Sequence, residues 1–207
     1  MFLVETLAYH LKRSGLDLSR SGWRVILVHV AIIGVFGIWW PYVKGIEFLD
    51  PVLLSAYACL GVVFAGPAAA QGLAKDPPRT MREALTRIAI AALYGEMMAV
   101  LILGSGLTTV YSLRKILFGP DWSGLAWAGA LGLTGAIAMA AVAAWIALRF
   151  SASVARGALR LIFFGLLCLF FFKSRWLPEI AARGILFCSG VAILSFFGIR
   201  RALMARD

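Results

Sequence analysis

The sequence predicts an all-α integral membrane protein of six transmembrane helices, preceded by an interfacial amphipathic helix and carrying a short cytoplasmic helix between spans two and three. Three observations carry this expectation. Of the 207 residues, 62% are hydrophobic and only 14% charged, with a mean hydropathy of +0.90, well outside the range of a soluble domain. Apolar runs recur at or near the roughly 20 helical residues that a hydrocarbon core of about 30 Å requires. The net charge of +10 gathers at the ends of those runs, as the positive-inside rule describes. That distribution also argues against a nucleic-acid partner.

The first element is residues 2–14. Val4, Leu7, Ala8 and Leu11 share one helical face, while Glu5, Lys12 and Arg13 lie on the other and Gly15 breaks the pattern. Too short to span, this helix suits the headgroup plane, or packs on the protein itself. Its positive charges follow the apolar stretch and no cleavage-type site comes after it, so the N-terminus is expected to be retained. The six spans then fall at about 23–43, 51–74, 88–111, 124–150, 159–176 and 179–199, joined by short loops into a single transmembrane domain, 1–207. The fifth is the shortest in its uncharged centre, LIFFGLLCLFFF, about twelve residues, a length at which an interfacial or re-entrant segment competes with a span. Arg160 and Lys173 snorkel from its ends, and its phenylalanines suit a lipid-facing position.

Orientation follows from the basic residues. With the N-terminus inside, fourteen of the 20 Lys and Arg face the cytoplasm, among them Lys75, Arg79, Arg82, Arg87, Arg149, Arg200 and Arg201. Both termini are expected to be cytoplasmic in a multi-pass protein of the bacterial inner membrane. Ala128, Gly132, Ala136, Ala140 and Ala144 recur every four residues along the fourth run, as Gly61, Ala65 and Ala69 do along the second. Small residues let helix backbones approach closely in lipid, so both stripes predict helix contacts.

The stretch KDPPRTMREALTR, residues 75–87, interrupts two apolar runs with charges. Thr80-Met81-Arg82-Glu83 matches a capping box, in which the Thr hydroxyl accepts from the Glu83 N–H and the Glu carboxylate reaches back to the Thr80 N–H. A helix therefore starts near Met81, and Pro77 and Pro78 separate it from the end of the second span. A single helix from Met81 to Tyr111 would run about 46 Å, longer than the hydrocarbon core needs. The sequence thus predicts either a helix projecting into the cytoplasm or a short separate helix ahead of the span. A rigid element at this face can transmit force from a partner. Arg79, Thr80, Arg82, Glu83 and Arg87 are its candidate docking residues. The same residues are equally compatible with an early helix start whose solvated arginines only set topology.

Taken together, the interfacial N-terminal helix, six spans with both ends inside and the helix between spans two and three resemble the permease subunit of type-2 ATP-binding cassette transporters. Asp76 and Arg79-Thr80 echo the polar pairs that precede the coupling helix in that family. The resemblance implies that the short helix is a coupling helix seated in a groove of a separate ATPase subunit. It further implies a homodimer or heterodimer of permease subunits within membrane lipid, with ATP and Mg²⁺ held by the partner. The chain would then be a permease subunit of an exporter of amphipathic or apolar substrates. The alternative is a non-catalytic anchor or scaffold subunit of a larger membrane complex.

Glu96 is the one acidic residue well inside a run, about 14 Å along the helix from Arg87 and so near mid-membrane. A charged carboxylate there costs roughly 2.5–3.5 kcal/mol on insertion scales, so it must be neutral, paired or facing water. It is a candidate for the substrate path or a subunit interface, or a structural acid satisfied by Tyr94 or a carbonyl. Ser105, within Gly104-Ser105-Gly106, joins Glu96 and Tyr94 as a candidate path residue. It has no histidine in a later span to activate it as a nucleophile. His29 is the single histidine within a span and reads as a packed hydrogen-bonding residue. No phosphate-loop motif and no metal-ligand spacing is present, and Cys59, Cys168 and Cys188 all lie in apolar runs. The sequence thus offers neither catalytic residues nor a metal site, and an enzyme acting alone is not expected.

Overall fold

A computed structural model describes residues 27, 30, 31, 33–39, 62–70, 72, 73, 76–114, 122–150, 154, 155, 157–159, 161, 162, 165 and 177–205. Among them all regular secondary structure is helical. Three long helices dominate: α1 (Met81–Arg114), α2 (Trp122–Arg149) and α3 (Leu177–Met204). Residues 62–70 are helical as well, and Ile33–Trp39 form a π-helical segment that contacts α1. Each long helix contains an apolar stretch able to cross a bilayer, at Met81–Ile102, Ala126–Arg149 and Ala181–Met204. The chain is therefore a helical membrane protein. The interfacial helix at 2–14 and His29 lie outside the described residues, as do most of the first and fifth runs and part of the second.

α1 settles the alternative left open at residues 75–87. Its 34 residues form one unbroken helix of about 51 Å, so the expected separate short helix is instead the first turns of the third span. No strong breaker falls in its first turns: from Met81 the first glycine is Gly95, and no proline occurs before Arg114. α1 is longer than the hydrocarbon core, so it projects beyond the span.

The described members of the small-residue stripes are buried, as expected; Gly61 lies outside the described residues. Ala128, Gly132, Ala136, Ala140 and Ala144 are all buried on α2, and Ala65 and Ala69 are buried in the same core cluster as Ala136, Ala140 and Ala144. Gly66 shows why. A Cβ there would meet Met139 Cγ at 2.8 Å and Leu159 Cδ2 at 2.9 Å, so a larger residue would force these side chains to shift. Pair contacts also fix direction. Val62 touches Gly135 and Met139 touches Gly66, so residues 62–70 run parallel to α2. Likewise Leu131 meets Gly184 and Trp145 meets Gly198, fourteen residues further along both helices, so α2 and α3 run parallel.

One buried cluster joins Ala84, Ile88, Ala91 and Ala92 of α1 to Ala136–Leu148 of α2 and to Ile199 and Ala202 of α3. The start of α1 therefore lies beside the ends of α2 and α3, at one face of the membrane domain. α3 is the most peripheral of the three. Only 17% of its apolar stretch is buried, against 50% and 56% for α1 and α2. Leu186, Phe187, Leu194 and Phe197 on α3 face outward, as befits a helix bathed in lipid.

Candidate functional site

The polar structure at this face is built around the start of α1. Thr80 is the N-cap: its carbonyl accepts the first helical bond from the Ala84 N–H at 3.1 Å, and its hydroxyl accepts from the Glu83 N–H at 3.2 Å. The return half of the capping box differs from the expectation by one residue. Glu83 Oε2 accepts from the Arg79 N–H at 3.0 Å, not from the Thr80 N–H. The reason lies on the other carboxylate oxygen, since Oε1 is held 2.7 Å from Arg87 Nη2 and fixes the orientation of the whole group.

Arg87 is the centre of the arrangement. Its Nη2 also donates to Asp76 Oδ2 at 3.1 Å, while Nη1 donates to the Asp76 carbonyl oxygen. One guanidinium thus ties two carboxylates and a backbone oxygen, using the planar fork that lysine lacks. Pro77 and Pro78 stiffen the bend that returns Asp76 toward the helix. Arg87 is only 1% exposed. Expected as a docking side chain, it is turned inward, because it sits in register with Ala84, Ile88 and Ala91 on the buried face of α1. Burying a guanidinium is costly, and two carboxylates offset that cost. Its Nε has no hydrogen-bond partner among the described residues.

Of the remaining docking candidates, Arg79, Thr80 and Arg82 are exposed and Glu83 is half-buried. They form a short rigid ridge, braced from beneath by Arg87. The sequence reading missed Asp76 as a structural partner. The Glu83–Arg87 spacing signalled only the other half of the arrangement, since residues four apart on a helix are neighbours.

The three candidates deeper in α1 do not converge. Glu96 and Ser105 are nine residues apart, about 14 Å along the axis and on opposite faces. Tyr94 sets its ring edge-on to Phe64, at 6.3 Å between centroids and 88° between planes, rather than toward Glu96. Ser105 donates to the Ile102 carbonyl at 2.9 Å, a local bond within the helix. Thr108, Thr134 and Ser195 bond carbonyls of their own helices in the same way. Glu96 is the exception. Its Oε1 is buried and has no hydrogen-bond partner among the described residues. Among those residues no group of His, Cys, Asp and Glu is placed to hold a metal ion.

Comparison with protein-family models, with curated proteins and with solved structures gives no match in any of the three.

Proposed function

We propose that this chain is the transmembrane permease subunit of an ATP-driven, ATP-binding-cassette-type exporter, working with a separate ATPase subunit that carries ATP and Mg²⁺. The observation that supports this reading is the braced start of α1: Arg79, Thr80 and Arg82 stand on a helix whose first turn is held by a cap and by Arg87. A ridge fixed to a helix of about 51 Å passes a push at the membrane face into the bilayer, where a loose loop would absorb it. The long α1 is then the lever, and its exposed first turn is the contact with the ATPase. The substrate is amphipathic or apolar, since α1, α2 and α3 offer few charged side chains between their ends.

A second reading is favoured by the continuity of α1. Because the coupling-type helix is not a separate element, the same ridge also suits a non-catalytic anchor or scaffold subunit that docks a partner without ATPase activity. One experiment separates the two. A photo-cross-linker at Arg79 or Arg82, in membranes from cells expressing the chain, should capture a protein with a Walker motif. Capture of a protein without one supports the scaffold reading, and no capture from either position removes both.

A further inference from the structure

We infer that the paired ends of α2 and α3 form a binding site for the phosphodiester headgroup of an acidic membrane lipid. A cavity of about 710 Å³ opens there, lined by Trp145 and Arg149 of α2 and by Leu194, Phe197, Gly198, Arg200 and Arg201 of α3. Three guanidiniums thus face one space. No acidic side chain lines it, and none of the three arginines has an ion-pair partner among the described residues.

This charge follows from the fold. α2 and α3 run parallel, so their carbonyl-bearing C-terminal ends lie together, and Arg149 and Arg201 sit in their last turns, where cations are favoured. Two helix ends alone call for less charge than three exposed arginines supply. Gly198 lets α2 approach, since a Cβ there would meet the Trp145 indole at under 3 Å. The cavity therefore has a graded wall. Trp145 and Phe197 lie about one turn, and Leu194 about two, nearer the membrane centre than Arg149, Arg200 and Arg201. An anion with an apolar body fits both levels: phosphate oxygens on the guanidiniums, acyl chain along the indole and the phenyl ring. Free phosphate would satisfy only the upper level. The site is independent of the ATPase proposal, because it needs only that α2 and α3 cross the membrane.

Native mass spectrometry of the purified full-length chain tests it, with phosphatidylglycerol and phosphatidylcholine of matched acyl chains as probes. Phosphatidylglycerol should be retained in clear preference, and that preference should fall roughly fivefold for each arginine lost in Arg149→Gln and Arg201→Gln, the attraction expected per basic residue at an anionic surface. Arg183→Gln, near the opposite end of α3, should leave it unchanged. Equal retention of the two lipids, an unchanged preference in the double variant, or displacement of the lipid by inorganic phosphate would overturn the assignment. Should the glutamine variants fail to fold, bromolipid quenching decides with all three arginines in place. Phosphatidylglycerol brominated on its acyl chain should quench Trp145 more than brominated phosphatidylcholine does, read as the difference between wild type and Trp145→Phe, and equal quenching rejects the site.

Discussion

Arg87 donates to the Asp76 carboxylate at 3.1 Å, closing a loop of eleven residues across the two prolines that precede α1. The guanidinium is buried and Asp76 is 42% exposed, whereas Glu83, the other partner, is 16% exposed. Removing the shared cation leaves two carboxylates facing each other at a partly dry site. Arg87→Met should therefore destabilise the chain by about 3 kcal/mol, the lower end for breaking a buried pair because Asp76 retains water. Asp76→Asn should cost under about 1 kcal/mol, and Glu83→Gln more than that, in the order of their burial. Thermal unfolding in detergent checks the ranking, and an Arg87→Met variant as stable as wild type would refute the brace.

Thr80 supplies the cap through its hydroxyl, at 3.2 Å from the Glu83 nitrogen. Thr80→Ala should cost about 1 kcal/mol, while Thr80→Ser or Thr80→Asp should be nearly neutral. Because the cap orders the exposed ridge, limited proteolysis after Arg79 should speed up in the alanine variant. Equal cleavage rates would show that Pro77, Pro78 and Arg87 hold the turn without it.

Much of this arrangement was legible in the sequence, and the rest for definite reasons was not. The alanine and glycine stripe of α2 declared its contacts because small residues at every fourth position have one main use in lipid. The start of α1 was legible because a capping box is a local device read over four residues. Whether α1 broke after that start depended on the absence of a helix breaker over the following turns, which composition showed but which left both outcomes open. Asp76 meeting Arg87 is a long-range contact across a proline bend, and no spacing rule covers it. The failure of Glu96 and Ser105 to converge follows from helix geometry alone, yet a site shared between several spans could still have used both.

Residues 62–70 pack closely on α2, where a Cβ at Gly66 would meet Met139 Cγ at 2.8 Å. Ala140, next to Met139 in sequence, is fully buried in the same core cluster. Ala140→Leu adds three carbons where backbones already meet, and should destabilise by about 1–3 kcal/mol or force the helices apart. Val100→Leu, at an exposed site on α1, is the matched control and should change little. Comparable melting of the two variants would contradict the close approach.

The first turn of α1 and the last turns of α2 and α3 share one face of the membrane domain. In a chain whose native cysteines are replaced by alanine, single cysteines at Arg79 and Met204 should react with a membrane-impermeant maleimide from the same side, and one at Arg114 from the other. The distribution of basic residues predicts that the shared side is the cytoplasmic one. Labelling of positions 79 and 204 from opposite sides would break the placement of the start of α1 beside the end of α3.

Glu96 has one carboxylate oxygen buried without a hydrogen-bond partner among the described residues, on the face of α1 turned away from Tyr94. A buried polar atom left unpaired costs about 1–3 kcal/mol, so a structural acid in this position would be a liability without return. If nothing within the chain satisfies it, Glu96→Leu should hold or raise thermal stability by about 1 kcal/mol, and Glu96→Gln should preserve expression. A role at a substrate path or subunit interface then predicts a loss elsewhere: in the assembled complex, Glu96→Gln should lower transport, or the yield of co-purified subunits, by several-fold. A fall of more than about 2 kcal/mol in the isolated Glu96→Leu chain would mean that the carboxylate is paired within it. The residue would then belong to the scaffold, and the case for Glu96 at a path or interface would be lost.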